Sequence, residues 1–155
     1  MQRFAWVGLG VVLASTASAQ EVAWRSYSNA RFGVSCAYPA LFTRHDAPPD
    51  NGDGQTFHTG DGSATLRVFG FYNIDHASTA TLLAAQKPSG FRPTYTMARK
   101  DRFAYSGAHG RTEVYLRCNL GSGDVIGCVE VRYPSQATTG WPAIVTRVSQ
   151  SLRVP

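Results

Sequence analysis

The sequence predicts an α+β domain, a mainly antiparallel β-sheet sandwiched by helices with an amphipathic helix at its C-terminal end. Three observations carry that reading. Alternating apolar and polar stretches follow one another across short Gly- and Asp-containing turns, as in consecutive antiparallel strands. The stretch Leu66 to Phe71 is bulky on both faces, which suits a sheet covered on both sides. The final segment changes period: Trp141, Ile144, Val145, Val148 and Leu152 fall at helical spacing.

Before the domain stands an export signal. Arg3, the apolar run Phe4 to Ala14 and the small-x-small triplet Ala17-Ser18-Ala19 read as a secretory signal peptide over residues 1–19, leaving one domain at 20–155 that begins at Gln20. The run falls short of the ~20 residues needed to cross a bilayer, and no second run follows, so no transmembrane segment is expected. No Cys follows the cleavage site to take a lipid. The expected location is periplasmic or secreted.

Trp24 to Tyr27 reads as a short strand, and Ser28 to Arg31 as a turn into a second strand around Cys36 that Pro39 ends, having no amide to donate. Arg44 to Gly54 reads as loop, since Pro48-Pro49 and two glycines interrupt any regular element. Gln55 to Thr59 and Ser63 to Tyr72 flank Gly60-Asp61-Gly62 as a hairpin, with Leu66, Val68 and Gly70 on one face and Phe69 and Phe71 on the other. Asp75 or Ser78 caps a helix that runs to Gln86, ahead of Pro88. Thr94 to Tyr105 reads as one strand and Gly107 to Gly110 as a turn. Arg111 to Asn119 and Val125 to Tyr133 are the most strand-like stretches. Pro142 suits the first turn of the last helix.

Three cysteines in an oxidising compartment leave one unpaired. Cys118 and Cys128 flank a turn-rich stretch and are the expected disulfide. Their parities conflict: Val114, Leu116 and Cys118 share one phase, whereas Val125, Val129 and Val131 share the other. If those apolar sets pair, the cysteines face apart, so a β-bulge at Gly127 is expected to restore the phase. Cys36 is then free. Phe32, Val34, Cys36 and Tyr38 alternate onto one face, which reads as core.

The whole chain carries a formal +5, and losing Arg3 with the leader makes it +4. Only Arg99-Lys100 and Arg102 lie close together in sequence, so no basic stripe marks a nucleic-acid binder. The stretch Asp50-Asn51-Gly52-Asp53-Gly54 invites a calcium reading. Counted from Asp50, Gln55 stands where the loop needs Gly and Asp61 where it needs a bidentate Glu, so a plain Asx/Gly turn explains it. His45, His58, His76 and His109 lack zinc spacing. No metal or cofactor is expected. No Gly-x-Ser-x-Gly elbow and no nucleophile with an oriented base can be read.

Two blocks carry a resemblance. Tyr27-Ser28-Asn29-Ala30-Arg31-Phe32-Gly33, with the strand through Tyr38-Pro39, resembles the opening hairpin of the PsbP-like superfamily. Asn51 to Phe57 and Asp61 to Val68 are similar to a small exported proteobacterial branch related to it. The resemblance implies an antiparallel sheet between helices. It also implies accessory binding proteins, since the superfamily includes extrinsic subunits of photosystem II and a Ran-binding factor.

The expectation is therefore a monomeric, non-catalytic binding or accessory module of the bacterial envelope, its partner an envelope protein or a small ligand. The loop bearing His45, Asp46, Asp50, Asn51 and Asp53, with the Asn119 to Asp124 turn, is the expected contact surface. The alternatives are a thiol enzyme or hydrolase centred on Cys36, and a carrier of a small apolar ligand.

Overall fold

A computed structural model describes residues 22–137 and 139–155. The signal peptide and its cleavage at Gln20 lie outside the described residues. Strands β1 (Trp24–Ser28) and β2 (Ser35–Pro39) form an antiparallel ribbon. Strands β3 (Arg44–His45), β4 (Gly54–His58), β5 (Thr65–Tyr72), β6 (Arg92–Arg99), β7 (Arg102–His109), β8 (Thr112–Leu120) and β9 (Val125–Pro134) form one antiparallel sheet in the order β3-β4-β5-β9-β8-β7-β6. Helix α1 (Thr79–Gln86) joins β5 to β6, and α2 (Trp141–Ser151) follows β9.

Each sheet face has its own core. On one, Leu66, Val68, Val129 and Val131 meet the ribbon and α2 through Phe32, Val34, Tyr38, Phe42, Val148 and Leu152. On the other, Phe69, Leu116, Cys118, Ile126, Cys128, Phe103 and Tyr105 lie under Leu83 of α1. Ser78 caps α1 by accepting from Thr81 N, and the Tyr105 hydroxyl donates to Gln86 O at its other end. Helix α2 opens with Trp141 stacked on Tyr133, ring centroids 4.9 Å apart. It lies mainly against β2, where Ser151 Oγ accepts from Ala37 N at 2.8 Å.

The disulfide joins Cys118 to Cys128, which sit directly opposite each other in the β8–β9 register. No bulge at Gly127 is needed, contrary to the sequence reading, because the two apolar sets never pair. Val114, Leu116 and Cys118 share a face with Cys128, while Val129 and Val131 serve the opposite core. Gly127 stays in register opposite Gly70 for a different reason, close approach. A Cβ on Gly127 would lie 2.6 Å from Val154 and 2.7 Å from Val34, and one on Gly70 2.7 Å from the Phe32 ring.

Three further boundaries differ from the sequence reading. The Arg44 to Gly54 loop starts with the two-residue strand β3, paired to His58 and Phe57. The single strand expected at Thr94 to Tyr105 is two, β6 and β7, reversing at Lys100-Asp101 without a Gly or Pro to mark the turn. Strand β7 also runs on through Gly107 to His109, so the next turn is the pair Gly110-Arg111, with Gly110 at a φ of +64°. After α2, residues Leu152 to Pro155 form a strap. Arg153 and Ser35 exchange two backbone hydrogen bonds, and Ser122 N donates to Pro155 O.

Candidate functional site

The β1–β2 turn holds the loop singled out by the sequence. Asn29, buried, accepts from Phe32 N at 2.8 Å to shape its own turn and donates across to Gly52 O at 2.8 Å. Arg31 reaches the same loop, donating to Asn51 O and pairing with Asp53 at 2.7 Å. Asn51 donates to the Asp53 carboxylate and accepts from Asp53 N, an Asx turn in which Gly52 takes a left-handed φ of +64°. The loop is therefore braced from a segment about twenty residues earlier in the chain.

The five predicted contact residues take different places. Asp46 pairs with His58 Nε2 at 2.8 Å, across the β3–β4 pair and away from its neighbour His45. His45 turns its ring edge toward Phe57 and its Nδ1 to Asp46 O at 3.0 Å. Asn51 and Asp53 are committed to the Arg31 brace. Asp50 is exposed and has no hydrogen bond among the described residues. Beside this loop lies a cleft of about 300 Å³, lined by Asp46, Asn51, Asp53, Gln55 and Arg67, with Arg67 lying 4.1 Å over the Phe69 ring. Its wall offers donors and acceptors, with no nucleophile and base set together.

The second expected surface, the Asn119 to Asp124 turn, meets the first at one end of the sheet. Gly70 N donates to Asp53 O and Asn73 N to Asp124 O, both at 2.8 Å, so one loop fastens to β5 near its C-terminal end and the other to the residue just after it. Asp124 also pairs with His76 at 3.2 Å. The β6–β7 turn joins the same end through Leu120 N to Asp101 O.

Sequence reasoning missed Asn29, Arg31 and Arg67. The Asn29 and Arg31 positions were legible only as a turn, because nothing in a single sequence reports which distant loop a turn will touch. It also missed a gathering of cations: Arg102, Arg117 and Arg153, from three separate segments, line one cleft of about 220 Å³. Arg99 stands directly opposite Arg102.

Cys36 sits in the ribbon core at 4% exposure, with burial pushing its thiol up to about 12. The neighbouring groove offers Ser26, Ser35, Ser151 and Arg153, and no histidine to act as base. The thiol is neutral when folded, whereas in the unfolded chain it ionises from about 9 upward. Its contribution to stability is thus complete below pH 9 and lost as pH rises toward 12, by up to about 1.4 kcal/mol per unit. Cys36→Ala is expected to flatten the alkaline limb of urea-unfolding stability between pH 9 and 11; an unchanged limb would contradict this burial.

Among the described residues, no group of three or more His, Cys, Asp or Glu side chains is placed to hold a metal ion. No described helix is long and apolar enough to cross a membrane.

No protein-family model matches the chain, and no curated protein does. Several solved structures resemble it. Cyanobacterial PsbP (CyanoP) from Synechocystis sp. superimposes with a TM-score of 0.60 at 12% identity, over 92% of this chain and 99% of that one. The Ran-binding protein Mog1p of Saccharomyces cerevisiae gives 0.55 at 8% identity, over 86% and 96%. The chain thus has a PsbP-like, Mog1p-type fold.

Proposed function

We propose that this protein is an exported, non-catalytic binding or accessory module of the bacterial envelope, acting as a monomer through the loop end of its sheet. One observation carries the reading: the His45–Gly54 loop and the Asn119–Asp124 turn are hydrogen-bonded to Gly70 and Asn73, at and just past the C-terminal end of β5. Loops braced on a rigid scaffold present a preformed surface, which lowers the ordering cost of recognition. The secretory leader pattern supports a periplasmic or secreted location. The fold's likeness to CyanoP and to a Ran-binding protein supports an accessory role, and the Asn51–Phe57 block supports placement in an exported proteobacterial branch.

A photo-crosslinking residue placed at Asp50, and separately at Ser122, tests this in intact cells. Both positions are expected to trap the same partner. A probe at Asp61, on the far β4–β5 turn, should trap none. Discrete adducts only at Asp61, or none at Asp50 and Ser122, would overturn the proposal.

A further inference from the structure

Strand β6 ends the sheet, and among the described residues its outer edge has no backbone partner. All its residues are exposed except Met97, which is half-buried. A register shift between Pro93 and Tyr95 inserts one residue, so Arg92, Tyr95, Met97 and Arg99 all share one face. Without it, Arg92 and Arg99 would point to opposite sides, so the bulge re-aims a charge. The same face continues inward through Arg102 and Arg117.

Folding alone gives no reason for this arrangement. Arg99 and Arg102 face each other directly, and like charges in opposed positions destabilise a sheet. Arg102 has Asp101 at 3.1 Å, whereas Arg92, Arg99 and Arg117 have no ion pair among the described residues. Strand β6 contains no acidic residue. A second copy is a poor occupant, because antiparallel pairing of β6 with itself would set arginine against arginine; that is how edge charges prevent self-association.

We infer that the free edge of β6 docks an extended acidic segment of another polypeptide, which adds as an eighth strand to the seven-stranded sheet. Its backbone pairs with β6, and carboxylates on alternate residues meet Arg92 and Arg99, with Tyr95 between them. This edge meets the loop end only at the β6–β7 turn and runs away from it toward Arg92, and neither reading depends on the other.

The test uses the purified protein and a labelled synthetic peptide alternating Glu and Val, as long as β6, read by fluorescence anisotropy. Saturable binding is expected, weaker as salt rises. Arg92→Glu with Arg99→Glu is expected to weaken it by at least about tenfold, as is N-methylation of alternate peptide amides, a loss of about 1.4 kcal/mol. Arg92→Lys with Arg99→Lys should retain most binding, which separates charge from misfolding. Asp50→Ser should leave the affinity unchanged. Equal binding of the N-methylated peptide would overturn strand addition. Equally tight binding of a single-stranded oligonucleotide or of phosphatidylglycerol vesicles would overturn the polypeptide as occupant.

Discussion

Gly127→Val is expected to loosen the β1–β2 ribbon from the sheet and to lower stability by about 3 kcal/mol or more. Overpacking a filled core costs ~1–3 kcal/mol when neighbours can shift. Here they have little room. Val34 is wholly buried and Val154 belongs to the strap, both within 2.7 Å of where the first added carbon would sit. The opposite residue, Gly70, is closed over by Phe32 and cannot receive what Gly127 displaces. Urea denaturation should show the loss, smaller for Gly127→Ala than for Val. Cys36, packed in the same core, should become reactive toward a thiol reagent in the valine variant while remaining protected in wild type. An unchanged unfolding midpoint would show that the ribbon is not seated on this glycine pair.

Replacing both Cys118 and Cys128 by alanine is expected to cost about 2–3 kcal/mol from the freed ten-residue loop, plus a smaller loss from the vacated core. For a chain this size that lowers the melting temperature on the order of 10 °C. Both residues are 0% exposed, between β8 and β9 and among Phe69, Phe103 and Leu116. Reductant should therefore act slowly on the folded protein and quickly once urea opens it. A melting curve unaffected by the double substitution would show that the crosslink contributes nothing to the native state.

Strands β5 and β9 are legible because each alternates between a face that packs on one core and a face that packs on the other, and β8 because its apolar face, Val114, Leu116 and Cys118, alternates with a half-exposed polar one. Helix α1 was legible from Ser78 and Pro88, and α2 from its period. Three features stayed hidden for physical reasons. The β6–β7 reversal uses Lys100-Asp101, residues that serve turns and strand ends alike. Gly127 resembled a bulge because a sequence shows a missing side chain without showing what fills the space. Parity also misleads, since Val129 and Leu116 read as partners on one face when a doubly covered sheet lets them part. At the loop end the turn can be read in the sequence and its brace cannot: Asn51 and Asp53 announce a turn, whereas Arg31 holds them from across the fold. The arginine face of β6 is likewise a product of strand order and one inserted residue.

The strap that pairs Arg153 with Ser35 makes the fold late to finish. Ala37 and Ser151, hydrogen-bonded in the same corner, stand 114 residues apart. Contacts of such separation form only after the chain between them is available. While a ribosome still holds residue 153, the opening hairpin has no completed seat, and one of the two cores stays open. The last core closes only once the final segment is free to reach Ser35, so an early stop codon at the far end should wound the near end.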